Sequence, residues 1–376
     1  GSGVRVQANS STASTGRNFA QIGHGGRYSS FQYLAALDST NGFATLEAGL
    51  DEPSDEVGDA GIHPLVPVLD DPTTTDDDTN QFGATTRPTL RGFSGAISVT
   101  TTAADGDIEF LGADRDGARS YRGYAQLGHG GILSHGDHDG NITVNSAGAI
   151  TFKSVTATTT STNNDNYVQL GHGGYTSIGN SGSITVNVTA GDLLFSGGTD
   201  SLTWAQLGHG GYLVDDNHSG DIAVMVSGDI TFTAGTDGAA AGAGNASFAQ
   251  IGHGGYQSRG DHSGEINVTG GSITLTGSID TDATDGGTDT NNGHAQIGHG
   301  GYDSDNPNQN SSAYDGNIGN SGNIFVTSTV GDVIIEAGND YRSFAQIGHG
   351  GNQTSGSQSG AVEVTSAGSV ELYASG

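Results

Sequence analysis

The sequence predicts an all-β protein, a three-sided parallel β-helix (β-solenoid) of about seven coils. Three observations carry that expectation. An eight-residue motif, aromatic-Ala-Gln-Ile/Leu-Gly-His-Gly-Gly, recurs seven times, centred on His24, His129, His172, His209, His253, His299 and His349. Successive motifs lie 105, 43, 37, 44, 46 and 50 residues apart, and a repeat of this order marks solenoids and propellers. Each motif is followed by two short segments whose apolar residues stand two apart, the period of a half-buried strand. Finally, the chain holds 66 Gly, 6 Pro and no Cys, with only 32% hydrophobic residues. That is too little apolar matter for one thick core but enough for a thin core renewed at every turn.

The motif itself supplies the first strand, for example Phe248-Ala249-Gln250-Ile251-Gly252-His253. By period two, Ala249, Ile251 and His253 point inward, and the aromatic and glutamine share the outer face. A polar loop ends in Ser263-Gly264 and introduces the second strand, Ile266-Asn267-Val268. It recurs as Ile97/Val99, Ile142/Val144, Ile184/Val186, Ile222/Val224, Ile324/Val326 and Val362/Val364. The third strand, Ile273-Thr274-Leu275, recurs as Ile108/Phe110, Ile150/Phe152, Leu193/Phe195, Ile230/Phe232, Val333/Ile335 and Val370/Leu372. Gly95, Gly106, Gly140, Gly148, Gly182 and Gly191 stand two residues before a strand, where a corner often needs positive φ. A propeller blade usually has four strands, whereas three are visible here. Equivalent side chains of successive coils therefore lie over one another at about 4.8 Å.

That stacking gives the repeated letters a structural reading. His24, His129, His172, His209, His253, His299 and His349 form one ladder, and Gln21, Gln126, Gln169, Gln206, Gln250, Gln296 and Gln346 form another. Phe19, Tyr124, Tyr167, Trp204, Phe248, His294 and Phe344 form an outward ring ladder beside the glutamines. A tetrahedral metal centre wants ligands converging on one point, and a ladder spaces them instead. No cofactor or metal site is therefore expected. Inside the coil the imidazoles should be neutral, with lowered pKa, because neighbouring charges at stacking distance would repel. The loops Asp137-His138-Asp139, Asp215-Asp216-Asn217-His218, Asp261-His262 and Asp303 with Asp305 read as solvated, weak calcium sites being the alternative.

The chain reads as a single solenoid over residues 1–376, interrupted in the first coil by an insertion at 27–92. This insertion holds five of the six prolines (Pro53, Pro64, Pro67, Pro72 and Pro88) and twelve acids. Segment Phe31–Leu50 is apolar enough to dock on the solenoid, whereas Asp51–Thr79 reads as mobile. Val4-Arg5-Val6 looks like an extra third strand ahead of the first coil. Neither end shows a polar cap, which points to end-to-end stacking of copies or to a longer chain.

Acidic residues number 41 against 11 basic ones, for a formal charge of -30, and Lys153 is the only lysine. Nucleic acid is excluded as a partner, since phosphate binding needs clustered Lys and Arg. Apolar runs fall short of the ~20 residues of a membrane span. Glycine-punctuated Ile-x-Val and Ile-x-Phe strands without cysteine resemble the filamentous-haemagglutinin type of bacterial exoprotein repeat. The resemblance implies a β-helical adhesin rod at the bacterial surface, exported by two-partner secretion. A non-enzymatic extracellular rod or filament segment, for adhesion or matrix building and with surface glycans as candidate partners, is the expectation. A polysaccharide lyase or hydrolase is the alternative, and would need a non-repeating carboxylate cluster. Ice binding would need regular outward Thr rows. The third-strand positions Glu109, Thr151, Leu194, Thr231, Thr274, Ile334 and Glu371 break them.

Overall fold

Strand alternation carried through seven repeats gives stacked parallel sheets. The computed structural model describes residues 3–8, 19–25, 91–103, 105–112, 123–132, 134, 137–154, 166–175, 177–198, 202–235, 247–279, 293–304, 319–339 and 342–374. All regular elements among them are β-strands. Every strand pairing is parallel, and four sheets have seven or eight strands. The architecture is that of a parallel β-solenoid.

The motif sheet joins Phe19–Ile22, Tyr124–Leu127, Tyr167–Leu170, Trp204–Leu207, Ala249–Ile251, His294–Ile297 and Phe344–Ile347. The Ile-x-Val sheet runs from Ile97–Thr100 to Val362–Ser366. The Ile-x-Phe sheet has an eighth strand, because Val4–Gln7 pairs with Ile108–Leu111 at one edge, with Val370–Tyr373 at the other. Pairing is letter on letter, such as Gln169 with Gln126 and Gln206, and Phe195 with Phe152 and Phe232. One core runs the length of the stack. It is lined by Ala and Ile/Leu of the motif, the Ile and Val of the second strand, and the Ile and Phe of the third. Phe110, Phe152, Phe195 and Phe232 form a column with centroids 4.5–4.8 Å apart.

Two further sheets lie where the sequence suggests loops. A seven-stranded sheet runs from Arg91–Ser94 through Asp137–Asp139, Ile178–Ser181, Asp215–Ser219, His262–Ser263 and Gly319–Ser321 to Ser357–Ser359. Arg91 and Gly92, expected in the insertion, therefore start a strand of this corner sheet. The remainder of the insertion, including Phe31–Leu50 and Asp51–Thr79, lies outside the described residues. A glycine ribbon of three strands joins Gly173–Tyr175, Gly210–Tyr212 and Gly254–Tyr256. Single bridges at Gly25, Gly130, Gly300 and Gly350 carry the stacking to the remaining motifs.

The ribbon overturns the expected outward ladder. Tyr124, Tyr167, Trp204 and Phe248, with Gln126, Gln169, Gln206 and Gln250, are fully buried. They do occupy the strand face away from the core, but the chain folds back over that face. The last glycine of each motif explains how. At Gly174 an added Cβ would strike the Tyr167 hydroxyl, and at Gly255 it would press on the Phe248 ring. The glycine before each histidine has φ between 147° and 159°. An added Cβ there would run into the equivalent glycine of the next repeat, except at Gly348, where it would meet the Gln346 side chain. The corner glycines differ from expectation in one respect. Gly95, Gly140, Gly182 and Gly191 adopt positive φ, while Gly106 and Gly148 do not and are fixed by close contacts alone.

Candidate functional site: the stacked motif

Each motif histidine sits between its strand and the glycine corner that opens the Ile-x-Val strand. Rings from His24 to His349 stack at 4.8–5.1 Å with interplanar angles of 1–7°. From His24 to His299, the backbone N–H at each motif histidine donates to Nδ1 of the next ring at 2.9–3.2 Å. From His129 to His349, Nε2 lies 2.7–3.0 Å from the carbonyl of Gly95, Gly140, Gly182, Gly220, Gly264 or Gly322. A carbonyl only accepts, so Nε2 carries the proton and Nδ1 the lone pair. The surroundings thus dictate one tautomer of neutral imidazole. Burial, the leading cause at each ring, pushes His172, His209 and His253 well below the usual histidine range and His299 to about 3. Neighbouring rings reinforce it, while the glycine carbonyls oppose it. At His129, less deeply buried, the Asp139 carboxylate also acts upward, yet its pKa is still lowered.

The glutamine is a clamp between repeats. Nε2 of Gln126 donates to the carbonyls of Gly171 and Gly173, on either side of the next histidine, at 3.0 and 3.1 Å. Gln21, Gln169, Gln206, Gln250 and Gln296 repeat this pair of bonds at 2.8–3.2 Å. Gln346 instead turns back to the carbonyl of its own His349 at 3.1 Å. Beside this row the aromatic rings stack from Phe19 to Phe344 with centroids 4.5–5.8 Å apart. Tyr212, Tyr256 and Tyr302 at the ribbon edge add a second, more tilted row.

A further column was hidden in the supposed loops. Phe93, His138, Asn180, His218, His262, Asn320 and Gln358 occupy equivalent places in the corner sheet. His138, His218, His262 and Asn320 are fully buried and Asn180 is almost so. His138 stacks on Phe93 and His218 on His262, with centroids 5.4 and 5.1 Å apart. Burial pushes His138 down to about 4 and His218 to about 3. The histidines of these stretches are thus not solvated. Alternating patterning could have revealed them, since Asp-His-Asp at 137–139 alternates exposed, buried, exposed.

The acids serve corners. Oδ1 of Asp107, Asp192, Asp229 and Asp332 accepts the backbone N–H one repeat on, from Ala149, Asp229, Ser272 and Ser369, at 2.7–2.9 Å. Asn141, Asp221 and Asn323 do the same ahead of the Ile-x-Val strands. Among the described residues no group of three or more His, Cys, Asp or Glu is placed to hold a metal ion. Nor is any helix there long and apolar enough to cross a membrane. Asp305 lies outside the described residues. Comparison with protein-family models, with curated proteins and with solved structures gave no match.

Proposed function

We propose that this chain is a non-enzymatic structural unit of an extracellular rod or filament at a bacterial surface, serving adhesion or matrix building. Each motif is one coil of a three-sided solenoid of seven coils, about 34 Å tall at the parallel-strand spacing. The unit extends either by stacking copies end to end or as one stretch of a longer rod. One observation carries the reading: the atoms of the repeated His and Gln that bond do so within the stack. From His129 to His299 both imidazole nitrogens are engaged by backbone, and six of the seven glutamines clamp the next repeat. Gln126, Gln169, Gln206, Gln250 and Gln296, like the imidazoles from His172 to His299, are also fully buried, out of the reach of a substrate. The acidic, lysine-poor, cysteine-free composition suits a secreted protein in salty solvent.

The test uses a panel of neutral and acidic polysaccharides. Beads coated with the protein should be retained on glycan or cell surfaces while the polysaccharides stay intact. New reducing ends or unsaturated products would replace this reading with that of a β-helical lyase or hydrolase. Beads that neither adhere nor coat into a matrix would remove the adhesive role.

A further inference from the structure

One face of the solenoid stands apart in charge. Across six strands of the Ile-x-Val sheet, from Ile97–Thr100 to Ile324–Ser328, no outward residue is charged, in a chain of formal charge -30. The other described outer faces carry acids: Asp137, Asp139 and Asp261 at the corner sheet, Glu109 and Glu336 on the Ile-x-Phe sheet. We propose that the uncharged face pairs laterally with the same face of a second copy of this chain, the two rods lying side by side and pointing the same way. The inference deepens the matrix-building part of the reading above and rests on it.

Each strand offers two outward positions, one on either side of its central valine, and in-register stacking turns them into two rows. Thr143 and Asn145 flank Val144, Thr185 and Asn187 flank Val186, and Asn267 and Thr269 flank Val268. Ala223 and Met225 flank Val224, and Met225 is 63% exposed. A two-fold axis along the row of valines, parallel to the rod, reverses strand direction but keeps coil on coil. Every first-row residue then meets the second-row residue of the same coil in the other copy. A hydroxyl faces an amide at the Val144, Val186 and Val268 levels. Ala223 faces Met225 between them, an apolar contact ringed by polar ones, as at the centre of a protein interface. Asn187 Nδ2 already donates to Asn145 Oδ1 at 2.9 Å, which holds these two amides along their row.

Charge selects this orientation. Asp221 and Glu265 lead into their strands at the edge of the face. The axis sets them opposite Ser227 and Gly271, three residues past the central valines, and Glu363 of the following strand meets Thr365. Turning the second rod end for end about the Met225 strand would instead bring Asp221 against Asp221, two like charges. Over six strands the face measures roughly 30 Å by 16 Å, so the two copies together cover about 1,000 Å². That is near the lower limit of a specific interface, and the pair is accordingly reversible. Repulsion between two strongly acidic chains opposes it and is screened by salt.

The test is analytical ultracentrifugation of the full chain over a concentration series at low and high salt. The mass should rise from the 37.7 kDa of one chain towards twice that value, more readily in high salt. Met225→Asp should weaken the dimer about tenfold or more, whereas Thr231→Asp on the Ile-x-Phe face should leave it unchanged. Should Met225→Asp disturb folding, as read by circular dichroism, Thr185→Glu charges the same face and should act alike. Orientation is read by disulfide formation, since the chain has no cysteine of its own. Thr143→Cys mixed with Asn145→Cys should cross-link, and in rods turned end for end about the Met225 strand the two would lie too far apart. A chain that stays monomeric at every concentration overturns the proposal, as does a dimer indifferent to both Met225→Asp and Thr185→Glu, or one that fails to cross-link. A monomer whose retention on glycan surfaces is lost with Met225→Asp would assign the face to a glycan, overturning the pairing while leaving the adhesive reading in place.

Discussion

Two histidine columns run side by side through this molecule, and they obey different rules. In the motif column, histidine is present in all seven repeats, and each interior ring answers a backbone donor on one side and a backbone acceptor on the other. In the corner-sheet column the same depth of burial accepts Asn180 and Asn320 beside His138, His218 and His262, while Phe93 is half-buried and Gln358 exposed. There the bonds are fewer and run partly to side chains, such as Asn180 Nδ2 to His218 Nδ1 at 3.1 Å. The difference teaches that burial alone does not fix a residue. A place becomes exclusive when a donor and an acceptor of fixed backbone must both be met by one rigid side chain. Imidazole alone among the side chains offers a lone pair and an N–H on opposite sides of a flat ring.

Acid should break both columns at once, and with the largest effect. The folded pKa values lie below the unfolded value near 6.5, so the unfolded chain binds more protons as pH falls. Stability should therefore be fully present above pH 6.5 and drain away below it, toward the folded values near 3–4. Each buried ring forfeits about 1.4 kcal/mol at pH 5.5, so the set together approaches the whole stability of a domain. Melting midpoints at pH 7.5 and 5 check this. Equal midpoints would mean that the rings carry charge in the fold.

Within the motif column, His209→Phe keeps the stack but leaves the His172 N–H and the Gly182 carbonyl unanswered. The expected loss is about 2–5 kcal/mol, read from denaturant midpoints. Gln206→Leu removes the clamp on Gly252 and Gly254 while keeping the volume, and should cost about 1–3 kcal/mol by the same measurement. The smallest effect is expected in the corner-sheet column. His218→Asn reproduces what Asn180 and Asn320 already do, so the loss should stay within about 1 kcal/mol, with a shallower acid transition. A cost equal to that of His209→Phe would erase the distinction between the columns.

The main frame was legible in the sequence because Ile-x-Val and Ile-x-Phe strands combine period-two apolarity with glycine corners. Their in-register pairing followed from the repetition itself. Two things escaped. Tyr167 and Gln169 read as outward because period two distinguishes core from non-core, not core from solvent, and the Gly173–Tyr175 ribbon that covers them carries little apolar signal. His138, His218 and His262 passed for loop residues because a buried polar column looks, letter by letter, like a solvated stretch. The alternation of Asp137-His138-Asp139 was the available clue.

Between each Ile-x-Phe strand and the next motif the chain takes excursions of very different length, from Leu111 to Tyr124, from Ser196 to Trp204, and from Thr276 to His294. The pairing of the flanking strands is the same in every case. Because the flanking strands pair in register whatever the length of chain between them, peptides inserted there should leave the sheets paired, with their attachment points spaced about 4.8 Å apart.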